Sequence, residues 1–173
     1  MRLLRNFYEN DISQVAPALI GKSLVIHKKD ITFPYVITEV EAYGGSEDDA
    51  SHARFGKTKR NHIMFSKGGY VYVYLIYGIH WMLNIVTGSE DQPQAILIRG
   101  LEGIEGPGKV AKQLEIDKTF YGEDLTLSKR IWIETNNEKV SFIQKPRLGI
   151  DYACEYWRNI KWRYIRVQHH QSS

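Results

Sequence analysis

In the segment Ile37-Thr38-Glu39-Val40-Glu41-Ala42-Tyr43, two carboxylates stand two residues apart, with a tyrosine two further on. Extended backbone puts Glu39, Glu41 and Tyr43 on one face and Thr38, Val40 and Ala42 on the other. Acids so spaced ordinarily make a solvated or salt-bridged face. The sharper alternative is one carboxylate held in a cleft as a general base. His52 and Arg54 follow in the next loop; a lone histidine is more often structural than catalytic. Further on, Tyr70-Val71-Tyr72-Val73-Tyr74-Leu75-Ile76-Tyr77 alternates rings with aliphatic side chains. Its aliphatic row belongs in a core. The row of Tyr70, Tyr72 and Tyr74 reads either as a second packed face or as a platform for stacked bases, at roughly 1–3 kcal/mol per base. Tyr77 precedes Gly78, so its ring is expected at a hairpin tip, where it makes a poor core residue and a good wedge.

Other chemistries find less support. Glu39, Glu41, His52 and His62 match no metal-ligand spacing, and there is no cysteine cluster. No metal and no cofactor are expected. Gly106-Pro107-Gly108-Lys109 lacks the spacing of a phosphate loop, although its helix N-terminus can receive a backbone phosphate. Gly44-Gly45-Ser46 lacks the second glycine of a nucleophile elbow.

For the acids and tyrosines to meet, the strands that carry them must lie side by side. The pattern predicts strands at 23–27 and 35–43, joined around Lys28-Lys29-Asp30, and a hairpin of 70–77 with 81–86 through Gly78-Ile79-His80. Further strands are expected at 95–101, 131–134, 140–144 and 163–167. Helices are expected at 13–20, with Ser13 as N-cap, and at 109–115. Residues 48–65 read as a long loop or short helices. The fold class is therefore α+β, one domain over 1–167 with a mixed, mainly antiparallel curved sheet, flanking helices and a protruding β-hairpin. Barrel-like closure is possible for such a sheet. Residues 168–173 form a polar tail expected to fray.

Composition narrows the class. A chain of 173 residues, 43% hydrophobic and 25% charged, suits one globular core. One cysteine excludes an internal disulfide, and the early charges break any signal-like run. No apolar stretch approaches membrane-spanning length, so a cytoplasmic, membrane-free protein is expected. The net charge of +3 is unevenly spread. Residues 54–67 hold Arg54, Lys57, Lys59, Arg60 and Lys67 with no acid, and residues 145–166 carry a net +4. Either run alone can be a solvated face. Two of them with interleaved aromatics suit a polyanion, and nucleic acid becomes a candidate partner.

Taken together, Thr38-Glu39-Val40-Glu41-Ala42-Tyr43, Glu47-Asp48-Asp49-Ala50-Ser51-His52-Ala53-Arg54, Arg60-Asn61-His62-Ile63-Met64-Phe65 and Tyr72-Val73-Tyr74-Leu75-Ile76-Tyr77-Gly78 closely resemble the alkyladenine (3-methyladenine) DNA glycosylase family. The resemblance runs on through Met82-Leu83-Asn84-Ile85, Leu97-Ile98-Arg99-Gly100-Leu101-Glu102, Gly106-Pro107-Gly108-Lys109, Pro146-Arg147-Leu148-Gly149-Ile150 and Trp162-Arg163-Tyr164-Ile165-Arg166. It covers essentially the whole chain, in order, and suggests a bacterial-type minimal catalytic domain.

The resemblance implies base-excision repair: removal of alkylated or deaminated purines from double-stranded DNA, approached through the minor groove by a monomer. It assigns Glu41 as general base for water and Arg99 as a companion that holds the site. Tyr43 and His52 are expected on one side of a flipped base and Tyr74 on the other, with Asn84 at the pocket floor and Tyr77 intercalated in the duplex. Arg54, Lys57, Lys59, Arg60, Lys67 and Arg147 are expected at backbone phosphates. No lysine stands at the catalytic position, so a lyase step is not implied. Two other readings remain. One is a non-catalytic single-stranded nucleic-acid-binding domain using the tyrosine stripe. The other is a metal-dependent nuclease using Glu39, Glu41 and His52.

Overall fold

The acid-bearing strand turns out longer than its pattern suggests, and the sheet is organised around it. The computed structural model describes residues 1–167, in which β1 (Ser23–Lys28) turns through Lys29 and Asp30, both at positive φ, into the fourteen-residue β2 (Ile31–Gly44). Prediction missed the start of β2 because Pro34 argues against a strand. The N-terminal half of β2 pairs with β1 alone, and proline is tolerated on such an edge. The tail expected at 168–173 lies outside the described residues.

A hairpin of β3 (Val71–Ile76) and β4 (His80–Thr87) follows, then β5 (Gln94–Leu101) and the short β6 (Ile104–Glu105). Later come β7 (Ile131–Glu134), β8 (Phe142–Lys145) and β9 (Arg163–Arg166). The main path runs β3-β4-β5-β2-β1-β7, with β9 against the C-terminal half of β2 and β8 against β9. Every strand pair among the described residues is antiparallel, so the mixed character expected of the sheet is absent.

Helices α1 (Arg5–Tyr8), α2 (Ile12–Leu19), α3 (Pro107–Leu114) and α4 (Glu155–Asn159) flank the sheet. Helix α2 is capped by Asp11, whose carboxylate accepts the Ser13 amide, and not by Ser13 as expected. An aspartate two residues ahead takes the orphan N–H, which draws the helix start forward. Pro107 at the first turn of α3 sets φ without losing a bond. No described helix is long and apolar enough to cross a membrane.

Alternation divides the strands cleanly. Val40, Ala42, Val71, Val73, Leu83, Ile85, Ile96 and Ile98 face one core, joined by Val110, Ala111 and Leu114 of α3 and by Val15 and Leu19 of α2. A second apolar cluster on the far side of the hairpin joins Tyr72, Val86 and Ala95 to Ala53 and Met64, which arrive on two 3₁₀ turns, His52–Phe55 and His62–Phe65. The register between β2 and β5 slips twice around Glu39, leaving Thr38 extra on one strand and Arg99 extra on the other. Such bulges bend a strand and re-aim its side chains. Gly100 makes this one possible: a Cβ there would lie 2.9 Å from Thr38 Oγ1 and 3.1 Å from Glu39 Cβ.

Candidate active site

The strand faces turned away from the main core converge on a cavity of ≈ 480 Å³. β2 brings Glu41 and Tyr43, β3 brings Tyr72 and Tyr74, β4 brings Asn84 and β5 brings Leu97 and Arg99. His52 enters on the first 3₁₀ turn, and the loop after β8 contributes Leu148, Gly149 and Ile150. The residues singled out as general base, companion arginine and base contacts thus line one space.

Glu41 is fully buried and held by three donors. Its Oε1 accepts from the Tyr43 hydroxyl at 3.1 Å and from Arg99 Nη1 at 3.3 Å, and its Oε2 accepts from the Leu148 amide at 2.6 Å. Burial pushes its pKa up, while Arg99, the Leu148 N–H and the Tyr43 hydroxyl pull the other way. The result is a positioned carboxylate whose proton affinity exceeds that of an exposed glutamate. Arg99 divides itself between two acids, with Nε 3.3 Å from Glu39 Oε1, and Glu39 also accepts from Arg163 Nη1 at 3.1 Å. Glu39 is thereby occupied by two arginines, which fits the salt-bridged reading of that position. Among the described residues no three His, Cys, Asp or Glu side chains converge as a cation site.

The aromatic walls differ from expectation. His52 and Tyr74 have ring centroids 4.3 Å apart. A base sandwiched between them would need a gap of about 7 Å, twice a carbon contact distance. His52 therefore stands beside Tyr74, and no base fits between these two rings. His52 is fixed by a 2.9 Å hydrogen bond between Nδ1 and the Tyr72 hydroxyl. Burial, with Arg60 and Arg54 nearby, lowers its pKa to about 4, so the ring is neutral at physiological pH. Asn84 lies at the buried end, opposite Tyr72 on β3 and Leu97 on β5, with its amide nitrogen donating to Met82 O at 3.3 Å.

Comparison with other sequences shows the family to which this cavity-bearing fold belongs. The profile of the methylpurine-DNA glycosylase (MPG) family matches residues 6–106 and 102–170. A Wolbachia pipientis wMel protein named "Putative 3-methyladenine DNA glycosylase" is 44% identical over 164 residues, covering 90% of this chain and 89% of that one. Proteins of the same name from Legionella pneumophila (strain Paris) and Natranaerobius thermophilus are 42% and 38% identical, covering 95% and 96% of this chain and 94% and 96% of their own. This chain belongs to the methylpurine-DNA glycosylase family.

Around the mouth, this glycosylase-family chain projects its hairpin. Tyr77 and Gly78 occupy the turn with φ of 51° and 68°, closed by the Ile79 N–H donating to Ile76 O at 3.1 Å. Positive φ at both central positions suits the twist of a tight hairpin, and glycine meets it freely. A tyrosine pays roughly 1–2 kcal/mol to sit there. Its ring is 88% exposed, so no packing offsets that cost. Strain without local packing to offset it makes the tip a candidate functional position.

The first basic segment is open. Lys57, Lys59, Arg60 and Lys67 are exposed and Arg54 is half-buried, and none pairs with an acid among the described residues. Arg54 is braced by the rings of Phe55 and Tyr152, and Arg60 lies over Tyr74. Arg147 is the exception to the expected phosphate contacts. Its side chain has no exposed surface and is paired with Asp48, so it cannot reach a phosphate from this position. Sequence reasoning also missed the Leu148 N–H. A backbone donor leaves no trace in residue type. Tyr152, whose hydroxyl donates to Ala50 O at 2.9 Å while its ring lines the cavity, carried no periodic signal either.

Proposed function

We propose that this chain hydrolyses the N-glycosidic bond of alkylated purines in double-stranded DNA, with Glu41 as general base. The observation that carries this reading is Glu41 itself: fully buried, held by three donors, and facing a cavity lined by Tyr43, His52 and Tyr74. The exposed Tyr77 enters the minor groove as the damaged nucleotide leaves the stack, and the ring walls offset the few kcal/mol of unstacking. Purine nucleotides methylated at N3 or N7 carry positive charge, which the π faces favour and a neutral His52 does not repel.

In the chemical step, the bond from C1′ to the purine nitrogen lengthens and its electron pair departs with the base. Water attacks C1′ of the oxocarbenium-like sugar and gives a proton to the Glu41 carboxylate. A cationic base needs no proton of its own to leave. Arg99 keeps Glu41 ionised and oriented, and Asn84 opposes the exocyclic amine of normal guanine at the pocket floor. Among the described residues no lysine lines the cavity.

The test is base release from duplexes carrying 3-methyladenine, 7-methylguanine, hypoxanthine or ethenoadenine, with and without chelator. Release of free base that survives chelation supports the reading, and Glu41→Gln is expected to bind lesion DNA without releasing base. Binding with no release from any lesion would instead favour a single-strand-binding domain, and chelator-sensitive strand cutting would favour a nuclease.

A further inference from the structure

Arg147 is a buried cation that the chemistry above leaves unused. Its Nη1 donates to Asp48 Oδ2 at 2.5 Å and to Ala42 O at 3.0 Å. Its Nη2 donates to Asp48 Oδ1 at 2.9 Å and to Trp157 O at 3.2 Å. One guanidinium thus ties together β2, the loop after it and α4, while its Nε stays buried without a partner. Stability is a weak reason for such an arrangement, because the desolvation of a buried ion pair cancels much of its attraction.

Two contacts lead from it to the active site. The guanidinium carbon lies 4.9 Å from the centroid of the Tyr43 ring. The peptide that leaves Arg147 is the one whose Leu148 N–H donates to Glu41 Oε2 at 2.6 Å. Fixing Arg147 therefore fixes that N–H to within one peptide unit, in a loop whose Leu148 and Gly149 are otherwise exposed.

We infer that Arg147, clamped by Asp48, is a positioning residue that holds the Leu148 N–H on Glu41 and seats the Tyr43 ring at the pocket wall. This rests on Glu41 being the general base.

The consequence is electrostatic. Glu41 is faced by Arg99 from β5, by Glu39 on its own strand with Arg163 of β9 behind it, by Tyr43, by Tyr74 of β3 and by the Leu148 N–H. Arg99, the N–H and the Tyr43 hydroxyl favour the carboxylate, while burial and Glu39 oppose it. Loosening the N–H removes one favourable partner from a buried charge, so Glu41 protonates at higher pH.

The measurement is the single-turnover rate of base release from a 7-methylguanine duplex across pH, because that cationic base leaves without being protonated. Arg147→Lys keeps the charge but cannot span four acceptors. Asp48→Asn keeps the shape and removes the clamp's charge. Leu148→Pro deletes the donor outright and sets the full size of the effect. Thermal melts select whichever of the two clamp variants folds. The low-pH midpoint is expected to rise by about one unit, a roughly tenfold loss below it, with recovery toward the parent rate at high pH. A uniform loss at every pH with the midpoint unmoved would make Arg147 merely structural and overturn the inference. Base release by Glu41→Gln would overturn the reading of Glu41 itself, and this inference with it.

Discussion

Residues 54–67 and 145–166 carry the same kind of sequence, cations interleaved with aromatic rings, and the fold uses them in opposite ways. In the first segment no cation meets an acid among the described residues, and rings brace them from the side: Arg54 against Phe55 and Tyr152, Lys57 against Phe65, Arg60 against Tyr74. In the second, Arg147 is taken by Asp48, Arg163 by Glu39 and Arg166 by Glu102 and Glu138. The acids that hold these three arginines all lie outside the segment itself. A window charge therefore measures how many cations are present, and the fold decides how many face outward. The first segment is free to meet a polyanion, whereas in the second Arg147, Arg163 and Arg166 are tied into the scaffold and only Lys145, Arg158 and Lys161 stay exposed.

If this division holds, damage to the inner network should show in rate and stability, and damage to the outer segment in salt-dependent binding. The largest effect is expected from Glu41→Gln, a loss of roughly 10²–10⁴-fold in base release with lesion binding retained. Because burial raises the Glu41 pKa, the working carboxylate is lost as pH falls through that raised value. Activity on a cationic lesion should then decline at a higher pH than an exposed glutamate would give. A buried site is weakly screened, so salt should leave that midpoint in place, and a salt-driven shift would place Glu41 in solvent. Next in size is Asp48→Ala, which strands the enclosed Arg147 charge. Urea denaturation should show a cost of about 3–5 kcal/mol. Under 1 kcal/mol would mean that water reaches the pair and that the inner segment is not truly inner.

These residues also show what the sequence made legible. Period-two alternation placed Glu41 and Tyr43 opposite Val40 and Ala42, and Tyr72 and Tyr74 opposite Val71 and Val73, because side-chain direction in a strand follows from backbone geometry alone. The tip position of Tyr77 was readable from Gly78. The sides of the pocket were not. Whether His52 faces Tyr74 or stands beside it depends on how a loop folds over the sheet, and nothing in residues 48–65 encodes that locally. The fate of Arg147 was hidden for the same reason, since Asp48 lies 99 positions away. The Arg99 bulge was equally silent, although Gly100 is the residue that permits it.

The hairpin tip belongs to the outer surface, and the comparison expects its loss to affect DNA distortion more than chemistry. Tyr77→Ala should slow base release from a paired lesion about tenfold, with much less effect on an unpaired one. The melting temperature should hold, since the ring is 88% exposed. Equal losses on both substrates would move Tyr77 from wedge to pocket.

The smallest effects discriminate most directly between the two segments. Lys57→Ala and Lys59→Ala should each reduce the slope of log affinity against log salt by about 0.9 if each meets one phosphate, with saturated single-turnover rates unchanged. Arg166→Ala removes the same unit of charge from the second segment, where two acids already hold it. Its slope should match the parent, and any change should appear as a small loss of stability at the β8–β9 edge. A slope change for Arg166→Ala as large as that for Lys59→Ala would mean that DNA competes successfully with Glu102 and Glu138. The line between an outer and an inner basic segment would then have to be drawn at Arg147 and Arg163 alone.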